Sequence, residues 1–187
     1  MDKILTDLRI TIAVGFLLAV GLMFAPYYQP PLGWLNGAFQ GLHVFFGITW
    51  IGLLYYFNFV QIPTMPLIPA ELKPGVSKYI APKALFYFRW AAAFTVLTGL
   101  ILAHLYHELH EALMLEASAR LIGIGMYLAL IMAANVWFVI WPNQKKALGL
   151  VTVDDAAKAK AARVAMLASR TNVLLSIPML LCMTNYH

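Results

Sequence analysis

Histidines occur inside two apolar stretches of this sequence, where a polar side chain is unusual. His43 lies in the stretch from about residue 37 to 62, and His104 in that from about 84 to 106. A polar or ionisable residue within an apolar helix of membrane-spanning length indicates a functional site by default. Three further histidines lie nearer the ends of apolar stretches and are more simply interpreted as residues at the water boundary: His107, His110 and His187.

Helical spacing places each histidine on a helix face that also carries a polar group at its other end. Residues spaced three or four apart lie on one face of a helix. In the stretch from about 37 to 62 this face carries His43, Gly47, Trp50, Leu54, Asn58 and Gln61. The same spacing in the other stretch gives Arg89, Ala93, Leu97, Leu100, His104 and His107. Each face carries histidine at one end and an amide or guanidinium group at the other.

Two neutral imidazoles at similar depth on antiparallel helices are the axial ligands that a b-type haem requires. We therefore predict a b-type haem bound between these two helices, with His43 and His104 as its metal ligands. Gly47 leaves room for the flat ring, and Trp50 follows on the same face.

Other metal ligands are weaker candidates. His107 lies one turn from His104, but a copper or zinc site there lacks a nearby carboxylate or thiolate within the membrane. Met183 is a replacement axial ligand because it ends a helical stripe that passes through Asn172.

Polar and aromatic residues also gather at the opposite ends of the apolar stretches: Arg89, Trp141, Asn143, Arg170 and Asn172. Guanidinium groups form paired hydrogen bonds with planar acceptors. These five residues therefore predict a binding site for a substrate or a quinone. A lipid head group and a haem propionate are equally suitable anions. The structural alternative is an aromatic belt with snorkelling basic side chains.

Composition places these residues in a membrane protein. The chain has 187 residues, of which 62% are hydrophobic and 11% charged, with a mean hydropathy of +0.77. Soluble domains average about 45–50% apolar and about 25% charged residues. The single cysteine, Cys182, excludes an internal disulfide. A net charge of +5 concentrated near apolar runs does not indicate nucleic-acid binding.

The sequence predicts an all-α integral membrane protein, a bundle of five transmembrane helices in one domain. A bilayer core about 30 Å thick requires roughly 20 apolar residues of helix. Five stretches qualify, at about 4–25, 37–62, 84–106, 121–141 and 164–183. A Pro-rich connection, irregular in part, follows the second. An amphipathic helix at about 152–163, begun by a capping box at Thr152 and Asp155, leads into the fifth.

The positive-inside rule orients these spans. With the N-terminus in the cytoplasm, twelve of the 13 basic residues lie on the inner side and Arg120 alone lies outside. The C-terminus is then periplasmic, and all five histidines lie in or near the outer half.

Several segments resemble the N-terminal membrane domain of the bacterial urate oxidase (urate hydroxylase) family. The resemblance extends over most of the chain from Gly41 and depends on Leu42–Gly52, Tyr56–Gln61, Asn135–Lys146, Ser169–Asn172 and Ser176–Met179. It implies a multi-pass redox domain of the bacterial inner membrane that passes electrons to a c-type cytochrome. A looser architectural similarity is to small membrane proteins of haem biosynthesis that oxidise protoporphyrinogen.

These observations leave two functions open. The first is a haem b redox protein that relays electrons within a respiratory or oxidase assembly. No CxxCH motif occurs in the sequence, so covalent c-type haem is not expected and a separate cytochrome or other membrane subunits would accept the electrons. The alternative is a non-catalytic accessory subunit that stabilises a larger membrane complex and binds lipid.

Overall fold

The computed structural model describes residues 2–26, 28–30 and 32–185, and every regular element within those ranges is helical. Seven helices follow one another there: α1 (Asp2–Thr6), α2 (Leu8–Met23), α3 (Trp34–Leu67), α4 (Lys73–Leu105), α5 (Leu109–Leu113), α6 (Arg120–Ala147) and α7 (Asp155–Thr184). The prediction of an all-α protein is confirmed.

Four helices, α3, α4, α6 and α7, are long and apolar enough to cross a membrane. The shortest has 28 residues. A helix of that length reaches about 42 Å, against a hydrocarbon core of about 30 Å. In contrast, α2, within the first predicted span, has 16 residues and reaches only about 24 Å. Membrane insertion is supported by the four long helices, whereas the five-span count and the orientation stay predictions.

Residues 1–38 and 39–187 form two compact units. In the first unit, the Asp7 carboxylate caps α2 by accepting the backbone N–H of Arg9 at 2.8 Å. The ring of Trp34 packs edge-on against Phe24, with centroids 4.7 Å apart. The second unit contains most of α3 and all of α4 to α7.

In the second unit, the four long helices form a bundle in which each contacts two neighbours. We call the line of contact between two neighbouring helices a seam. Each seam is marked by a side-chain pair: Phe57 with Phe88 (α3–α4), Trp90 with Trp137 (α4–α6), Asn135 with Asn172 (α6–α7) and Ser176 with Tyr55 (α7–α3). We call the end that carries His43 the outer end and the end that carries Trp141 the inner end.

Large apolar side chains from all four helices close the centre of the bundle. Trp50 and Leu54 of α3 and Met132 of α6 are 0% exposed, while Phe88 of α4 and Met179 of α7 are also buried. The candidate functional side chains lie along the seams around this core.

Prolines shape three of the long helices without ending them. Each contains a π-helical segment that ends two residues before a proline: Tyr56–Gln61 before Pro63, Val76–Ile80 before Pro82 and Val136–Ile140 before Pro142. Proline has no N–H and its ring clashes with a carbonyl one turn earlier, and the wider turn relieves that clash. The predicted Pro-rich connection is therefore shorter than expected, because α3 extends to Leu67 and α4 begins at Lys73.

The amphipathic segment before the last span is continuous with it. α7 runs over 30 residues from Asp155 to Thr184, so the two segments form one helix, and the position of its first turns in water stays a prediction. Its N-cap is Asp154, whose carboxylate accepts the N–H of Ala157 at 2.7 Å. The predicted capping box at Thr152 is wrong by two residues, because Asp154 takes the cap position.

Candidate functional site

His43 lies half-buried in the α3–α4 seam, with its imidazole directly against α4. Its Nδ1 is 3.0 Å from the carbonyl oxygen of Thr95 and 3.3 Å from the hydroxyl oxygen of Thr98. The Thr98 hydroxyl donates its own hydrogen to the Phe94 carbonyl at 2.6 Å. Because the Thr95 carbonyl can only accept, Nδ1 carries a hydrogen, and in a neutral imidazole Nε2 then keeps its lone pair.

Gly99 provides the space that the His43 ring occupies. A Cβ at this position would lie only 2.8 Å from Cε1 of His43. The sequence signal for this contact is a glycine in the interior of an apolar helix, which is unfavourable unless close approach requires it. Thr95, Thr98 and Gly99 are therefore site residues that the sequence pattern did not single out.

A pair of aromatic rings forms a flat apolar surface next to His43. Phe46, one turn further along α3, stacks on Phe94 with centroids 5.0 Å apart and planes 27° apart. Gly47, predicted to leave room for a ring, faces Thr95, whose methyl group would be 3.9 Å from an added Cβ. Thr95 is therefore the neighbour of Gly47 across the seam, and the prediction that Gly47 leaves room for a haem stays untested.

Trp50 lies two turns deeper than His43 and is fully enclosed. Its indole Nε1 has no hydrogen-bond partner among the described residues. Its ring is part of the central core, so the prediction that Trp50 binds a cofactor stays untested.

The structure does not bring His104 to the side of α4 that His43 contacts. His104 follows Gly99 by five residues, a rotation of about 140° and a rise of about 7.5 Å. His104, His107 and His110 are exposed, and His187 lies outside the described residues. The described side chains thus form no facing pair of His43 and His104 between α3 and α4, and a ligand role for His104 or His107 stays a prediction.

The buried face of α4 also differs from the stripe expected to carry His104. Leu97, on the expected stripe, is 51% exposed, whereas Ala91, Ala92, Thr95 and Thr98 are buried. Small residues let a neighbouring helix approach closely, and in membrane proteins this decides which faces meet.

Met183, the other predicted replacement ligand, is half-buried at the outer end of α7. Its sulfur would lie 3.6 Å from a Cβ on Gly125 of α6. Met183 therefore fills the α6–α7 seam, and a ligand role for it stays a prediction.

At the inner end of the α4–α6 seam, Arg89 stacks on Trp141. Its guanidinium carbon lies 3.4 Å from one Trp141 ring centroid and 6.0 Å from that of Trp137. The Lys145 ammonium is 5.7 Å from the Trp141 centroid. Arg89 Nε and Nη1 are buried and have no hydrogen-bond partner among the described residues. The cation is therefore held mainly by the aromatic face.

Asn172 is fully buried in the α6–α7 seam and joins the two helices. It accepts a hydrogen bond from Asn135 Nδ2 at 2.7 Å and donates one to the Met132 carbonyl at 3.0 Å. Asn135 also donates to the Ala168 carbonyl at 2.8 Å. With its partners within the bundle, Asn172 acts here as an interhelical tie. Predicted Asn143 instead bonds within its own helix, to the Val139 carbonyl at 2.8 Å.

Arg170 lies on the exposed face of α7, beside a groove of about 340 Å³ between α7 and α3. The groove is lined by Asn58, Phe59, Arg170, Val173, Leu174 and Ile177. Arg89 belongs to the α4–α6 seam, so the structure places the two arginines in different surroundings. The predicted inner cluster is therefore divided among the α4–α6 seam, the α6–α7 seam and the groove between α3 and α7.

Within the described residues, no group of three or more histidine, cysteine, aspartate or glutamate side chains is placed to hold a metal ion. A metal or haem at His43 would thus depend on one histidine of this seam together with a ligand from elsewhere.

Comparison with protein families matches residues 109–187 to the family described as urate oxidase N-terminal. No curated protein and no solved structure matches the chain. The match includes α5, α6 and α7, with Asn135, Trp141, Arg170 and Asn172, and it begins after His43 and His104. The part of the chain from Leu109 onward is therefore similar to the urate oxidase N-terminal family.

Proposed function

We propose that this chain is the membrane module of a bacterial inner-membrane oxidoreductase assembly, with His43 as an axial ligand of a b-type haem. Two observations support the proposal: the similarity of residues 109–187 to the urate oxidase N-terminal family, and the geometry of His43. A bound haem would supply one-electron redox chemistry, and a c-type cytochrome at the outer side would accept the electrons.

The observation that carries the proposal is the hydrogen bond between His43 Nδ1 and the Thr95 carbonyl. Metal-bound histidines commonly donate their second ring N–H to a carbonyl or carboxylate, which fixes the tautomer and the ring orientation. His43 meets this condition through the backbone of α4. Its lone pair at Nε2 is available to a metal without any change of hydrogen bonding.

The surroundings of His43 also suit a flat apolar group. The stacked rings of Phe46 and Phe94 provide an apolar surface on one side of the seam. Gly99 and Thr98 hold the imidazole from the other side, because the first provides space and the second contacts Nδ1. The residues in this seam therefore provide one ligand for a haem and one apolar surface beside it.

The test is a reduced-minus-oxidised visible spectrum with a pyridine haemochrome assay on the purified full chain. We expect about one b-type haem per chain, lost or shifted in His43→Ala and unchanged in His110→Ala, which removes an exposed histidine. His104→Ala tests the second ligand: loss of haem assigns it to His104, and retention leaves His107, Met183 or a partner. An unchanged spectrum in His43→Ala would refute the proposal.

The accessory-subunit function is favoured by a different observation. The buried amides of Asn135 and Asn172 bond to each other and to backbone carbonyls, as expected of groups whose role is to hold helices together. A folded, colourless protein that copurifies with larger membrane subunits would support this second function.

A further inference from the structure

We propose that the groove between α3 and α7 binds a quinone, with the quinone ring beside Arg170 and the tail along Leu174 and Ile177. Only the use of that quinone as an electron carrier rests on the proposed redox function. The binding itself is argued from four features of the groove, namely an unpaired cation, its depth, a free acceptor and an aromatic surface.

The unpaired cation is Arg170. It shares the exposed face of α7 with Leu167, Leu174 and Ile177, which are 48%, 67% and 66% exposed. A guanidinium on an apolar, lipid-facing surface is costly unless it is paired. No hydrogen bond or carboxylate partner is found for Arg170 among the described residues. The groove therefore offers hydrogen-bond donors that a ligand can use.

The depth of Arg170 indicates what kind of acceptor the ligand carries. Arg163 lies seven residues earlier on the same face of α7 and is also exposed. That spacing is about 10 Å of helix. If Arg163 lies at the phosphate level, Arg170 lies a few ångströms inside the hydrocarbon region, because the headgroup layer is only about 5–7 Å thick. A neutral carbonyl on an apolar molecule reaches that depth at lower cost than a phosphate.

Asn58 supplies the free acceptor at the edge of the groove. Its Nδ2 donates to the Leu54 carbonyl and to the Ser169 hydroxyl, both at 2.8 Å. These two bonds fix the orientation of the amide and leave Oδ1 buried without a partner among the described residues. Oδ1 is enclosed by protein atoms at the edge of the groove, and a quinol hydroxyl would supply the donor that it lacks once the side chains around it move aside. Donors on Arg170 and an acceptor on Asn58 together suit both redox forms of a quinone.

The aromatic surface is provided by Phe59. Its ring is 64% exposed and is held parallel to Tyr55, with centroids 5.1 Å apart and an interplanar angle of 14°. Tyr55 is in turn anchored to Ser176 of α7 at 3.0 Å. The π-helical turn Tyr56–Gln61 sets the position of both Asn58 and Phe59. A planar quinone ring can therefore lie against a fixed aromatic face, with Val173, Leu174 and Ile177 beside its tail.

The second groove, between α6 and α7, has an exposed aromatic ring, Phe138, but no cation among its lining residues. It is larger, about 460 Å³, and is lined mainly by apolar residues. Its amide, Asn135, has its Nδ2 engaged by Ala168 and Asn172, and its hydroxyl, Thr171, donates to the Leu167 carbonyl. This groove serves as an internal control, since a general affinity for apolar molecules would label it as well.

The experiment uses the full chain in vesicles of phosphatidylcholine and phosphatidylglycerol. The probe is a photoreactive azidobenzoquinone with a ten-carbon tail, and labelled peptides are mapped by mass spectrometry. Decylubiquinone is the competitor, and extra phosphatidylglycerol or decanol tests for a lipid or tail site. Four variants are compared in two pairs. Arg170→Gln has Arg163→Gln as its charge-matched control. Leu174→Trp fills the groove, and its control is Leu181→Trp, on the same exposed face outside the groove.

We expect labelling within Tyr55–Gln61 and Ser169–Ile177 that decylubiquinone displaces. Loss of a charge-assisted hydrogen bond in Arg170→Gln should weaken binding by about ten-fold, while Arg163→Gln and Leu181→Trp leave it unchanged. Leu174→Trp should abolish it. Equal labelling of both grooves, displacement by phosphatidylglycerol or decanol, or equal loss in the two arginine variants would overturn the proposal.

The haem content of each variant is measured on the same preparation. Quinone labelling without haem would support the groove and refute the haem. Haem without quinone labelling would do the reverse, so the two proposals fail independently.

Discussion

The guanidinium of Arg89 lies on the ring face of Trp141, with 3.4 Å between Cζ and the ring centroid. Because both Nε and Nη1 are buried without a partner among the described residues, this stack is the main interaction that retains the cation in the α4–α6 seam.

Trp141→Leu tests this stack. We expect the free energy of unfolding in detergent to fall by about 2 kcal/mol, since a desolvated cation–π pair is worth that much. Trp141→Phe should lose less, because a ring face remains. Phe138→Leu is the control, as this aromatic residue of the same helix is 79% exposed. Equal stability of Trp141→Leu and Phe138→Leu would show that the stack contributes nothing.

A double-mutant cycle on Asn135→Ala and Asn172→Ala tests the interhelical tie. The 2.7 Å bond between these amides predicts a coupling energy of about 0.6–1.7 kcal/mol, the range found between membrane helices. Asn143→Ala is the control because that amide bonds only within its own helix. Additive effects of the two substitutions would mean that the pair does not cooperate.

Gly99→Ala tests the contact between α4 and His43. The added methyl would meet the imidazole at 2.8 Å, so the ring must move away from the Thr95 carbonyl. We expect a loss of about 1–3 kcal/mol from overpacking, together with a reduced haem content. Gly52→Ala is the control, because nothing lies within 4 Å of the Cβ added there. A Gly99→Ala protein with normal stability and haem would contradict the described placement of His43.

The predicted orientation is tested by labelling single cysteines in a Cys182→Ala background with a membrane-impermeant maleimide. Glu116→Cys, between α5 and α6, should react from the outer side, because the positive-inside rule places this loop there. Lys158→Cys should react only after permeabilisation. Asp7→Cys decides the number of spans: it should behave like Lys158→Cys if α2 crosses the membrane, and like Glu116→Cys if it does not.

The helices themselves were predictable from the sequence. Apolar runs of about 20 residues have one stable state in lipid, because an unsatisfied backbone group costs several kcal/mol there. The bounds were less predictable at Pro63, Pro82 and Pro142, because the sequence does not show that a π-helical turn will accommodate each proline. Of the site residues, His43 was found as a polar group in an apolar run, whereas Gly99 and Asn135 were identified only through their contacts.

By itself the sequence determined a membrane protein with long apolar helices, a histidine in the second of its predicted spans and arginines near the inner end. Only the tertiary structure decided which helix faces meet, and so placed His43 against Thr95 and separated Arg89 from Arg170. The reason is physical. In a membrane, lipid-facing and buried surfaces are equally apolar, so the hydrophobic pattern does not indicate the buried face. Small residues such as Ala92 and Gly99 decide the packing instead, and their effect appears only when the neighbouring helix is in place.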